Sequence, residues 1–242
     1  MADRVEGGEG RRAGRPSMAR ASTGRPAKEA RESDRSALPE RGGTLGIRRD
    51  IVAAATRLFS ERSYSGTTMR DIAEEIGIQK ASLYHHVRVK EDLLFAIHEE
   101  LLEELLAATL PVISSATPPD EKIREIIHVG MDFIALHRDG VAVFLQERHF
   151  IHGERWSVIA GKRDMYERLV LGIVTEGMRS GAFVPTEPKI ATRGLLAMMW
   201  WCYTWYRNDG PLTADEIAEV FADMVLLGLG RRPENGLVKS SS

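Results

Sequence analysis

The chain has 242 residues, 43% apolar and 28% charged, with a net charge of −2 and a single cysteine, Cys202. That length allows one small and one larger domain with ample core, and the near-zero charge excludes a nucleic-acid signature spread over the whole chain. One cysteine excludes an intramolecular disulfide and fits a reducing cytoplasm, with Cys202 as a core thiol. No apolar run reaches the ~20 residues of a membrane span, and no apolar signal core opens the chain, so neither a membrane partner nor secretion is expected.

Residues 1–45 are rich in Gly, Arg, Ala, Ser and Pro and nearly devoid of large apolar groups. Such a segment cannot bury enough surface to offset chain entropy, so a disordered basic arm is expected. Through Arg49 there are twelve Lys/Arg against seven Asp/Glu, leaving +5 and an acidic remainder. A basic end on an acidic body suits DNA binding by one domain only. Within the arm, Gly14-Arg15-Pro16 and Gly24-Arg25-Pro26 recur ten residues apart. Gly-Arg-Pro resembles the centre of the AT-hook, which would send Arg15 and Arg25 into a narrow A·T minor groove. The alternative is a solvated basic leader with general phosphate affinity, favoured by the interspersed acids.

The next segment, Ile47 to Phe59, reads as an amphipathic helix with Ile51, Ala55, Leu58 and Phe59 on its core side. Tyr64-Ser65-Gly66-Thr67-Thr68 forms a link. Thr67 or Thr68 then caps a short helix, and Asp71 is placed to reach back in a capping box. Ile72, Ala73 and Ile76 share a face of that helix. Gly77 sits at a sharp turn and is expected at positive φ. A second short helix, Gln79–His86, plugs into the same core through Ile78 and Leu83. It leaves Gln79, Lys80, Ala81, Ser82, Tyr84 and His85 outward. Gln reads adenine, Lys reaches guanine or phosphate, and an alanine methyl meets thymine. The layout is that of a helix-turn-helix; a plain helical hairpin with a solvated polar face is the alternative.

Ala54-Ala55 with Leu58-Phe59, the Tyr64–Thr68 link, Ile72-Ala73, Gly77-Ile78, Leu83-Tyr84-His85-His86, Lys90-Glu91 and Leu93-Leu94 together resemble the TetR family of bacterial transcriptional regulators. The resemblance implies an all-α fold: an N-terminal three-helix DNA-binding domain over 46–88 and a larger helical effector-binding and dimerisation domain over 89–231. Residues 232–242 are expected to be a disordered tail. It also implies that Thr68 and Arg70 approach the DNA backbone and that Lys90 meets a phosphate. The sequence departs from the family pattern at Val87, where an aromatic is usual, and at Val89, which replaces the small polar cap of the following helix.

From Lys90 onward the periodicity predicts helices near 90–109, 120–137, 140–149, 157–180, 188–207 and 213–229. Pro111, Pro118-Pro119, Gly153, Gly181 and Asn208-Asp209-Gly210-Pro211 separate them. The last two are apolar around nearly their whole circumference, which predicts a four-helix bundle with a second copy. A two-fold homodimer would match a palindromic operator with half-sites ~34–36 Å apart, or a multiple of that. Trp200-Trp201-Cys202-Tyr203-Thr204-Trp205-Tyr206-Arg207 holds too many aromatics for one core face. Core plus dimer interface is one reading. The other is a ligand walled by Trp201 or Trp205, with Arg207 beside an anionic group.

Phe144-Leu145 through Arg148, Lys162-Arg163-Asp164 with Tyr166, Gly181-Ala182-Phe183 and Asp209 to Thr213 resemble, more narrowly, the TetR regulators of fatty-acid and sterol-side-chain breakdown. That resemblance implies an acyl-CoA effector, with Met131, Phe133, Ile134, Phe144 and Leu145 lining an acyl slot. Arg148, Arg163, Arg168 or Arg207 would pair with phosphates; the bland alternative makes each a solvated arginine. The expected function is an effector-released repressor, the alternatives being a regulator of another hydrophobic ligand or an effector-independent DNA binder. No catalytic elbow, phosphate loop or dinucleotide glycine pattern is present. His128, His137, His149 and His152 are scattered, with no His-x-x-x-His pair. His149 and His152 flank a turn where they could bind a metal, but surface or capping roles are favoured. No enzyme activity, cofactor or metal is therefore expected.

Overall fold

Among the described residues, apolar side chains at helical spacing build eight α-helices and there is no strand. The structure, a computed structural model, describes residues 44–230. Arg15, Arg25 and the 232–242 tail lie outside them. The helices are α1 Thr44–Gly66, α2 Met69–Glu75, α3 Lys80–His86, α4 Lys90–Ser114, α5 Pro119–Glu147, α6 Gly153–Ser180, α7 Pro188–Trp200 and α8 Ala214–Leu229. Short 3₁₀ turns follow α5 at Arg148–Phe150 and α7 at Trp201–Thr204. No helix among the described residues is long and apolar enough to cross a membrane.

The first core joins Ile51, Ala55, Leu58 and Phe59 of α1 to Ile72 of α2 and Leu83 of α3. It does not stop at α3. Leu93, Leu94 and Ile97 of α4, Val143 of α5 and Ile151 belong to the same cluster. A second core fills the body, where Ile123, Ile126, Ile127, Met131 and Ile134 of α5 are wholly buried among α6, α7 and α8. α4 and α5 contribute to both cores.

Several boundaries differ from the periodicity, each for a local reason. α1 runs past the expected link to Gly66, across a kink at Ser63 (φ 66°, ψ 161°). Thr67, buried, holds that corner by donating its hydroxyl to the carbonyls of Leu58 (3.1 Å) and Ser63 (3.0 Å). α4 continues through Pro111 to Ser114. A proline so near the end removes one backbone bond, while Val112 beyond it is buried. α5 is one element where two helices were expected; the break survives as a kink at His137 (φ −118°, ψ 30°). There the side-chain amide of Asn208 donates to the Ala135 carbonyl at 3.1 Å. At the far end of α6, Gly177 lies against Phe183, whose ring would stand 2.2 Å from any added Cβ. The missing cap at Val89 is supplied from inside the helix. Asp92 accepts from the backbone N–H of Arg88 and of Val89, each at 3.0 Å.

Candidate functional site

Two arrangements stand out: an exposed helical face on the head, and a cavity in the body that shares α4 with it.

The head face is built by short-range capping. Thr68 Oγ1 accepts from the Asp71 N–H at 3.2 Å, and Asp71 Oδ2 accepts from the Thr68 N–H at 2.7 Å, a complete capping box. Bonds to the Thr68 hydroxyl and backbone hold the Asp71 carboxyl below the usual range. α2 ends in a Schellman turn: Gly77 N–H donates to Glu74 O (3.1 Å) and Ile78 N–H to Ala73 O (2.9 Å). Gly77 takes φ 69°, which glycine adopts without Cβ strain.

That turn launches α3, whose one buried residue is Leu83. Gln79, Lys80, Ala81, Tyr84 and His85 are exposed and Ser82 is half-buried. Lys80, Ala81, Tyr84 and His85 fall in one stripe by helical spacing. The bracing positions are already engaged. The Thr68 hydroxyl donates to Asp71 Oδ2 at 2.7 Å, and Arg70 Nε donates to Glu74 at 2.6 Å. Arg70 would have to exchange Glu74 for a phosphate. Arg88, exposed just beyond α3, was not singled out by the sequence reading. Its only signal there is its charge.

Lys90 has a different employment from the phosphate contact expected of it. Its ammonium donates to the carbonyls of Tyr64 (2.7 Å) and Thr67 (2.8 Å) and sits 4.2 Å from the Tyr64 ring centroid. Burial lowers its pKa, opposed by the nearby charge of Glu147. Glu147, itself buried, accepts from the Tyr64 N–H at 3.1 Å. The Tyr64 ring packs on Phe59 at 5.2 Å and on Phe150 at 4.7 Å between centroids. The end of α1, the start of α4 and the end of α5 therefore meet at one residue.

The body holds an apolar cavity of about 170 Å³ between α4, α5, α6 and α7. Phe133, Phe144, Leu145, Arg148 and Arg163 line it, as the sequence reading grouped them. The reading missed the contribution of α4, namely Leu101, Leu102 and Leu105, and also Tyr166, Leu196 and Trp200. The Tyr166 hydroxyl is deeply buried, which raises its pKa. Other expected lining residues lie elsewhere. Met131 and Ile134 are wholly buried on the face of α5 turned to the second core. Arg168 is exposed, and Arg207 is exposed and paired with Asp209 at 2.8 Å. Trp201 and Trp205 are 64% and 49% exposed. The backbone turns into the 3₁₀ segment at Trp201, so Trp200 and Tyr206 point inward instead.

One turn of α4 above Leu101 and Leu102 lies His98, fully buried. Its Nδ1 is 2.9 Å from the Leu94 carbonyl, and its ring lies 5.0 Å from Phe144 of the cavity wall. Nε2 has no hydrogen-bond partner among the described residues. Burial lowers its pKa to about 4, so the ring is neutral near pH 7. Ion pairs bind α4 to α6 along the opposite side. Arg155 pairs with Asp92 and with Glu91 (3.4 Å), and Lys162 with Glu99 (2.9 Å) and Glu103.

Sequence comparison matches residues 51–97 to the family described as bacterial regulatory proteins, tetR family, and residues 116–229 to the tetracyclin repressor-like, C-terminal domain. The HTH-type transcriptional repressor KstR2 of Rhodococcus jostii (strain RHA1) is 29% identical over 189 residues, covering 77% of this chain and 93% of that protein. Among solved structures, the regulator PfmR of Thermus thermophilus is 31% identical with a TM-score of 0.70, covering 75% of this chain and 99% of that one. AibR, solved in complex with isovaleryl coenzyme A and operator DNA, is 29% identical with a TM-score of 0.68, covering 73% and 96% of the two chains.

Proposed function

From the premise that this chain belongs to the TetR family of bacterial regulatory proteins, a family of transcriptional regulators and not of enzymes, we propose that it is a dimeric repressor released from its operator by an acyl-CoA thioester. The observation that carries this reading is the double role of α4. Leu101, Leu102 and Leu105 wall the cavity, while Lys90, Leu93 and Leu94 of the same helix fasten the head.

In this reading α3 enters the major groove with Gln79, Lys80, Ala81, Tyr84 and His85 toward base edges, and Thr68, Arg70 and Arg88 serve the phosphates. Leu101 and Leu102 border a cavity smaller than the ~300–1,000 Å³ that ligand sites usually offer, so an acyl chain must widen it. Widening pushes α4 from α5 and α6 and re-aims the head. The ligand acts only insofar as it prefers the widened form. Residues 89–231 supply effector binding and dimerisation. Exposed Ile190 of α7 and Val220, Met224 and Leu227 of α8 form the apolar face toward a second copy. AibR's complex with isovaleryl coenzyme A supports the thioester class.

Fluorescence anisotropy on the DNA flanking this protein's own gene tests the proposal. Specific binding released by an acyl-CoA, and not by the matching free acid, is the expected result. Tight binding indifferent to every thioester retains the repressor and discards this effector class.

A further inference from the structure

The apolar cavity holds one hydroxyl group, and it lies deep. Arg148 of the lining is exposed, and Arg163 and Glu167 are half-buried, which marks the rim. Tyr166 is only 4% exposed. Leucines, phenylalanines, Val141 and the Trp200 indole make up the rest of the wall. Tyr166 meets Trp200 nearly edge-on, with centroids 6.0 Å apart, and Trp200 meets Phe133 edge-on at 6.3 Å. Such contacts hold the phenol ring in place without using its hydroxyl.

That hydroxyl has no hydrogen-bond partner among the described residues, and burial alone raises its pKa. It is therefore protonated at neutral pH and able to donate. Among the described residues, His98 Nε2 is the one unpartnered side-chain polar atom sealed within the protein. The Tyr166 oxygen is not sealed in that way, so it opens on the cavity that its residue lines. The polar side chains at the rim are engaged elsewhere. Glu167 accepts from Arg193 at 2.9 Å, and Arg163 donates to Asp164 at 3.0 Å.

A phenylalanine would fill the same place without an idle donor. A saturated chain drawn into the cavity would cover the hydroxyl and leave it unpaired, which disfavours that ligand. An oxygen on the ligand turns the same burial into a hydrogen bond. We infer that Tyr166 is a specificity-determining residue, its hydroxyl donating to a keto or hydroxyl oxygen on the apolar end of the effector. The ligand class is then an oxygenated acyl group in preference to a saturated one. This rests on the acyl-CoA reading above and narrows it to the chemistry of the acyl end.

Isothermal titration of the full chain tests it, on wild type and on Tyr166→Phe. The ligands are hexanoyl-CoA and the same thioester bearing a keto or a hydroxyl group at the far end of its chain. The hydroxyl has no partner to lose, so Tyr166→Phe should keep the melting midpoint of the unliganded protein. Wild type should bind at least one oxygenated thioester about tenfold more tightly than hexanoyl-CoA. Tyr166→Phe should abolish that preference. Equal affinity of wild type for all three thioesters overturns the inference and leaves the effector class standing. A preference that survives intact in Tyr166→Phe overturns the role of Tyr166. Binding of no thioester by wild type overturns the effector class and the inference together.

Discussion

The head and the body use their helices in opposite ways. α2 and α3 have seven residues each, too short to persist alone, and are held by caps and by a few buried side chains. α5 and α6 run 29 and 28 residues and bury apolar side chains along most of their length. The head thus keeps a polar face free by folding around Ile72 and Leu83, whereas the body folds around most of what it has and leaves a small space. In the proposed reading, DNA is met by the thinly packed head and the effector by the incompletely filled body.

That contrast can be broken most forcefully at α3. Replacing Gln79 and Lys80 together by alanine should drop operator affinity to the non-specific level, a loss of about 4 kcal/mol or more. Both side chains are exposed, so the thermal midpoint should barely move. Anisotropy and a melting curve on one sample decide it; surviving operator affinity would remove α3 as the recognition helix. In the body, Ile126→Ala, at a wholly buried site, should cost roughly 2–5 kcal/mol of stability by denaturant unfolding, with no selective loss of DNA contacts.

Between the two regions, His98 sharpens the comparison through pH. Its folded pKa of about 4 lies below the unfolded value near 6.5. As pH falls through that window the unfolded chain binds a proton that the folded chain refuses, so stability declines by up to roughly 3 kcal/mol. Above about pH 6.5 this contribution is fully present. His98→Leu should flatten that part of the stability–pH curve; an unchanged slope would show that the ring titrates normally. Gly77→Ala, at φ 69°, should destabilise by about 1–2 kcal/mol, read as a lower melting midpoint. The smallest effect is expected at Arg155. Its half-exposed pairs with Glu91 and Asp92 are worth under about 1 kcal/mol. Arg155→Ala should change the effector concentration needed for release more visibly than it changes melting.

How legible each region was in the sequence follows the same division. The Thr68–Asp71 box and the turn at Gly77 depend on neighbours three to five residues away, and those patterns can be read directly. The start of α4 could not be read as easily, because Asp92 caps it from within and Val89 occupies the expected place. Farther along, long-range packing decides. Pro111 is absorbed inside α4, and the predicted gap before Gly140 becomes a kink whose free carbonyl is met by Asn208, 73 positions away. The aromatic run was visible as a cluster. Which rings face inward depended on a switch from 3.6 to 3.0 residues per turn at Trp201 that periodicity cannot anticipate. Likewise Met131 and Phe133, two residues apart on α5, both join the second core, yet only Phe133 reaches the cavity, which the pattern of α5 alone does not reveal.

The anchoring of Lys90 by two backbone carbonyls has a geometric corollary. The first turn of α4 and the corner at Tyr64 and Thr67 must rotate as one piece, so any bend falls farther along. From Leu101 to Lys90 the helix spans ~16 Å, and a tilt of about 6° at Leu101 sweeps its beginning through roughly 1.7 Å. Donor–acceptor distances at base edges tolerate only about 0.5 Å. A small angular change in α4 thus displaces the head by several times the alignment error that DNA reading can accept.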